Sequence, residues 1–149
     1  MKTVSQVPGV ANVVATVVLS ELGNLRDYRR GRSLSAMAGV NPKVIESGKR
    51  KGKTRMSKQG NAHVRAILYC AAMGCLRTKN DHCLKRVYSR LVQRGKTHMQ
   101  ALGALMRKIL LLMRNLLISG KPFDPDCDLK GKTPMAALEK EAHPVQNLC

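Results

Sequence analysis

The sequence predicts an all-α fold: one compact helical domain with a turn-and-helix segment at its start and a basic, glycine-containing loop in its first half. Three observations lead there. In four segments apolar residues recur every three or four positions, the spacing that lines them along one face of a helix. Gly23, Gly95 and Gly120 fall where three of those segments end and Gly39 ends a further short apolar stretch, with Pro42 and Pro122 close behind two of these glycines. A hydrophobic content of 44% over 149 residues is enough to close a single core.

Residues 4–23 read as a turn followed by a helix. Pro8 and Gly9 break the chain, and Val10, Val13, Val14, Val17 and Val18 then follow at helical spacing up to Gly23. The β-branched valines would also suit a buried strand, but their period favours helix. Asn24 to Gly31 is a polar, basic connector. Ser33 to Val40 forms a short apolar helix, with Ser33 as its cap and Gly39 as its end. From Asn41 to Met56 helical spacing is lost, basic residues crowd the segment and Pro42, Gly48 and Gly52 punctuate it, so an exposed loop or irregular hairpin is expected.

The second half is more regular. From Ser57 to about Arg77, Val64, Ile67, Leu68, Ala71 and Cys75 mark an amphipathic helix. Asn80 is the expected cap of the next, whose apolar face carries Leu84, Val87, Leu91 and Tyr88 before Gly95 ends it. The strongest pattern runs from Thr97 to Ser119 through Leu102, Leu105, Met106, Ile109, Leu110, Met113, Leu116 and Leu117. The domain is therefore drawn over residues 1–123. Residues 124–149 hold five of the nine acidic residues and little apolar pattern, and are expected to be a flexible tail.

Charge narrows the function classes. Lys and Arg outnumber Asp and Glu by 27 to 9, a net charge of +18 that exceeds what solubility needs and calls for a polyanionic partner. Neither an apolar run near the ~18 residues of a membrane span nor a signal peptide is present, which favours a cytoplasmic protein that binds nucleic acid and no membrane. Aromatic residues make up only 3%, with no Trp, so base stacking is a minor resource and backbone phosphates are the expected target. Cys70, Cys75, Cys83, Cys127 and Cys149 are odd in number and lack metal-ligand spacing, so they read as reduced thiols and no metal site is expected in this chain. Asp124, Asp126 and Asp128 alternate as in part of a calcium loop, but the glycine and distal Glu of such a loop are missing.

The segment KVIESGKRKGKTRMSKQGNAHVR concentrates Lys43, Lys49, Arg50, Lys51, Lys53, Arg55, Lys58 and Arg65 against the single acid Glu46. Phosphates would relieve the mutual repulsion, and Gly48, Gly52 and Gly60 allow close backbone approach to them. The bland alternative is a solvated charge run. Ser47 lies between Glu46 and Gly48, just ahead of the cations. Nearby positive charge could stabilise an attacked phosphate, although a serine beside a glycine is usually a turn residue. VPGVA, at Val7 to Ala11, is close to the hairpin of helix-hairpin-helix motifs, where Gly9 would let backbone N–H groups face one DNA phosphate. Ala11 stands where that hairpin has its second glycine.

VPGVANVVATVVLSELG, LSAMAGVNP, ESGKRKGKTRMSKQGNAHVR and LMRKILLLMRNLLISGKPFD together resemble, in order and spacing, the carboxy-terminal domain of IS-110 family transposases, the DEDD-type, Piv-like DNA recombinases of bacterial insertion sequences. The resemblance covers Val4 to Phe123. It implies that Ser47, in its Ser-Gly step, is a nucleophile that attacks a DNA phosphodiester, and that an amino-terminal RNase-H-like domain supplies four acidic residues holding magnesium. It also implies a structured guide RNA and a homo-oligomer in the full-length enzyme. This chain starts at the hairpin region and carries no upstream acidic tetrad, so alone it is expected to be inactive, with Mg needed only where that other domain is present. A non-catalytic DNA- or RNA-binding module, such as a truncated transposase remnant, is the alternative. A third reading gives the helix from Thr97 to Ser119 a dedicated assembly surface.

Overall fold

A computed structural model describes residues 6–43, 46, 47, 50, 51 and 55–126, with positions 46, 47, 50, 51 and 55 described by their backbone alone. The described chain is mainly helical, as its apolar spacing predicts. The order is α1 (Asn12–Leu22), a single 3-10 turn (Leu25–Asp27), α2 (Gly31–Met37), a hairpin of four short strands, α3 (Ala62–Arg77), α4 (Cys83–Gln93) and α5 (His98–Ser119). The strands are β1 (Pro42–Lys43), β2 (Glu46–Ser47), β3 (Arg50–Lys51) and β4 (Arg55–Met56).

Helix α5 is the axis on which α2, α3 and α4 pack, while α1 packs on α3. Its length follows from its ends. Thr97 accepts from the Gln100 backbone N–H while the Gln100 side chain accepts from the Thr97 N–H, and Gly120 closes the helix in the left-handed region at φ 64°. Between them Leu102, Leu105, Met106, Ile109, Leu110, Met113 and Leu116 are buried, which is the stripe read from the sequence.

The other helices start later or earlier than local signals suggest, each for a tertiary reason. Helix α1 begins at Asn12 because Val7 and Val10 are core residues of the preceding turn; it buries Val14, Ala15, Val18 and Leu22 and leaves Val13 66% exposed, off the expected apolar face. Ala11 is the helix's N-cap at φ −71°, ordinary extended backbone, so it bears no strain in standing where a glycine was expected. Helix α2 starts two residues before Ser33, and its cap Arg30 makes no side-chain cap bond. Its entry is instead fixed from α5: the buried Arg114 guanidinium donates to Tyr28 O at 2.7 and 3.1 Å and to Arg29 O at 3.3 Å. Arg26 adds a second tie, donating to Leu117 O at 2.6 and 2.9 Å.

Helix α3 begins at Ala62 and not at Ser57 because Lys58 (φ 55°) and Gly60 (φ 146°) lie outside helical geometry; Asn61 caps it by accepting from the His63 and Val64 N–H groups. At α4 the cap is His82 and not Asn80: its Nδ1 accepts from the Lys85 N–H, and the Cys83 N–H finds Pro125 O at 2.7 Å. That last bond is made by a residue of the segment expected to be a flexible tail. Phe123 packs against the core, and Arg86 joins Asp81 (2.6 Å) to Asp126 (3.0 Å), so the chain stays docked through Asp126. The remaining tail, 127–149, lies outside the described residues.

Candidate nucleic-acid interface

The basic segment is built as a hairpin on a rigid base. Three contacts close that base: Asn41 O accepts from the Ser57 N–H at 2.8 Å, Met37 O accepts from the Asn61 N–H at 2.8 Å, and Gly60 lies where a Cβ would come within 2.5 Å of both Gly39 N and Met37 O. Only glycine fits Gly60, since its φ is positive and the neighbouring atoms are backbone. The Asn61 side chain also donates to Glu21 at 2.6 Å, tying the base to the end of α1.

From that base the chain pairs with itself twice in antiparallel register. Pro42 pairs with Met56 and Lys43 with Arg55; farther out, Glu46 pairs with Lys51 and Ser47 with Arg50. The irregular hairpin expected for 41–56 is thus a two-step ribbon. Its backbone brings the positions of Lys43, Ser47, Arg50, Lys51 and Arg55 into one arm. Gly48, Lys49 and Lys53 lie outside the described residues.

Lys58 and Arg65 sit at the foot of the arm. The Arg65 guanidinium donates to Lys58 O at 3.2 Å and so helps hold Lys58 in its left-handed conformation. Gly9 is elsewhere. At φ +80° it lies against the last turns of α3, where a Cβ would stand 2.2 Å from Ala71 O and 2.5 Å from Cys75 N. Arg65 and Cys75 are ten residues apart on α3, roughly 15 Å along its axis at 1.5 Å per residue. Close packing accounts for the glycine without a ligand.

Two further features were not legible as sites. Arg30, from the segment read as a connector, and Arg32, just after it, converge with Arg107 and Arg114 of α5 on a cleft of about 440 Å³. His82, one of four scattered histidines, is buried with its Nε2 3.3 Å from Cys75 O and 3.8 Å from Cys75 Sγ. Burial pushes the Cys75 thiol up to about 11 and holds the His82 imidazole below its usual value. A protonated thiol beside a neutral imidazole is a packing pair, not an activated nucleophile. Cys70 and Cys75 form no disulfide among the described residues.

Among the described residues no group of three or more His, Cys, Asp or Glu side chains is placed to hold a metal ion. No described helix is long and apolar enough to cross a membrane.

Residues 1–102, which include the whole hairpin arm and its base, match the Transposase IS116/IS110/IS902 family. The chain belongs to that family. Among its relatives are the transposase for insertion sequence element IS1111A of Coxiella burnetii, 34% identical over 74 residues (50% of this chain, 20% of the relative), and the insertion element IS110 uncharacterized 43.6 kDa protein of Streptomyces coelicolor, 28% identical over 116 residues (78% and 28%). The pilin gene-inverting protein of Moraxella bovis is 24% identical over 119 residues (79% and 37%). Matched segments of this IS110-family chain therefore span between 20% and 37% of these relatives' lengths. The family match includes Arg30 and Arg32 but ends before Arg107 and Arg114.

Proposed function

We propose that this chain is the nucleic-acid-binding and strand-attacking part of an insertion-sequence transposase, with Ser47 as its nucleophile. The observation that carries the reading is the register of the hairpin arm, which sets Ser47 opposite Arg50 and Glu46 opposite Lys51 in a segment inside the family match. A cationic position across from a hydroxyl-bearing one suits attack on a phosphodiester, because positive charge stabilises the oxygens as charge builds on them.

In this reaction Ser47 Oγ forms a bond to phosphorus as a phosphorus–oxygen bond to one sugar breaks. The serine proton leaves to a base, and the departing sugar oxygen takes one up. The strand end stays bound to the serine until another strand's hydroxyl reverses the step. Lys43, Lys49, Arg50, Lys51, Lys53, Arg55, Lys58 and Arg65 contact phosphates, so they give affinity and register and little sequence choice. The partner is DNA, with an element-encoded guide RNA as a second ligand of the same basic surface and a homo-oligomer as the working assembly. The acids that hold magnesium come from a part of the enzyme outside this chain. Gly9 serves packing before phosphate contact in this scheme, since the side where a Cβ would stand lies against the α3 backbone.

The test is recombination by an enzyme in which this chain is joined to the acidic nuclease domain of an IS110-family relative. Ser47→Ala is expected to abolish both strand exchange and the covalent protein–DNA species while nucleic-acid binding stays unchanged. Recombination at the wild-type rate would remove Ser47 from the chemistry and leave a binding module.

A further inference from the structure

We infer that the cleft between the start of α2 and the middle of α5 is a second phosphate subsite, which takes backbone phosphodiesters of the nucleic acid that the hairpin arm engages. The inference rests on the nucleic-acid reading above, but on different residues.

Four of the seven residues lining the cleft are arginines, Arg30, Arg32, Arg107 and Arg114, and none is acidic; Gly31, Leu111 and Asn115 complete it. Four like charges around one space repel each other unless an anion joins them. The hold on Arg114 makes this more than a solvated face. Arg114 is buried and pinned by the Tyr28 and Arg29 carbonyls, and by holding that backbone it sets where Arg30 and Arg32 stand. The Arg107 Nε is covered and has no hydrogen-bond acceptor among the described residues. A small turn of that guanidinium toward a phosphate in the cleft would give it one. Guanidinium forks match phosphate oxygens in pairs, which suits a phosphodiester better than a diffuse counterion.

The cleft is also placed to continue the hairpin's track. Met56, at the foot of the arm, sits on α5 at Gly103, where its Cε is 3.0 Å from the position a Cβ would take. Arg107 is one turn farther on the same helix and Arg114 eleven residues from Gly103, about 6 and 16 Å along the axis. At ~3.4 Å of helix rise per nucleotide, one strand crosses that span in about five steps. A strand lying on the foot of the arm thus passes the cleft without bending back.

The experiment measures binding of a labelled DNA duplex to the purified chain across a salt series, read by fluorescence anisotropy. Arg30→Gln combined with Arg32→Gln is the main variant, because both side chains are exposed and the fold does not depend on them; Arg107→Gln is the second. Each is expected to weaken binding at low salt, about tenfold for the pair, and to lower the salt slope by about 0.9 for each phosphate that is no longer neutralised. Lys43→Gln combined with Lys58→Gln tests the hairpin arm separately. Wild-type affinity and slope in the cleft variants, with weaker binding in the hairpin pair, would overturn the cleft and leave the proposed function standing. Weaker binding in the cleft variants alone would do the reverse, and wild-type binding in every variant would overturn both. Inorganic phosphate at matched ionic strength is expected to leave the duplex bound; its selective displacement from the wild-type chain would reassign the cleft to a free anion and overturn the inference.

Discussion

The sharpest test of the fold is Gly9→Ala, because the same contact offers its own control. At φ +80° an alanine suffers the steric penalty of the left-handed region, about 1–2 kcal/mol. Its methyl would also stand 2.2 Å from Ala71 O and 2.5 Å from Cys75 N, both backbone atoms of α3 that no side-chain rotation can move away. Relieving that overlap requires the turn before α1 to move away from α3, a displacement that in packed cores costs about 1–3 kcal/mol. The sum, about 2–5 kcal/mol, is a large part of the roughly 5–15 kcal/mol that holds a domain together. At about 4 °C per kcal/mol for a chain of this size, the melting temperature is expected to fall by ~8–20 °C in a calorimetric or circular-dichroism scan. Gly74, on the opposite side of the contact, is the comparison. A Cβ there stands 3.4 Å from Gly9 Cα, ordinary contact distance, and alanine favours a helix interior over glycine by up to about 1 kcal/mol. Gly74→Ala should therefore melt at or slightly above the wild-type temperature. If Gly9→Ala melts with the wild type, the close approach of the first turn to α3 is wrong, and the reason for a glycine would have to be sought in ligand contact.

Two further outcomes follow from buried polar groups. Arg114→Lys keeps the charge but not the fork that reaches both Tyr28 O and Arg29 O, and it is expected to cost about 1.5–3 kcal/mol in a urea titration, with the segment before α2 losing amide-exchange protection first. His82 gives a pH dependence: its folded value is held down by burial, with the neighbouring Lys85 and Arg86 charges also lowering it against Asp81 and the Cys75 carbonyl, while the unfolded chain titrates near the usual ~6.5. Its contribution is then fully present above pH ~6.5 and is lost as the pH falls from there toward the folded value, since the unfolded state binds the proton first. Urea midpoints taken through that window should decline less steeply in His82→Gln than in the wild type; equal slopes would show that His82 is not the group responsible.

Much of the fold was readable because helical period and end signals are local. Helix α5 needed only its leucine stripe, the Thr97 cap and Gly120, and it formed between those limits. Where boundaries moved, the cause lay far along the chain. No signal near Ser33 shows that Arg114, from the middle of α5, fixes the backbone at Tyr28 and starts α2 early. Likewise the cap at His82 depends on burial and on Pro125, and the docked Asp126 depends on Arg86.

The site divides in the same way. By itself the sequence determined that the chain is strongly basic, that its cations crowd between Lys43 and Arg65 around Ser47, and that it resembles the transposase family in which it indeed falls. Charge is additive and motifs are linear, so neither needs a fold to be seen. The tertiary structure decided what the glycines and arginines do. It turned Gly9 toward α3, clamped the hairpin between Gly39 and Gly60, and gathered Arg30 and Arg32 with Arg107 and Arg114 across more than seventy residues of chain. Those arrangements depend on which backbones come within a few ångströms of one another, and only the packed core fixes that distance.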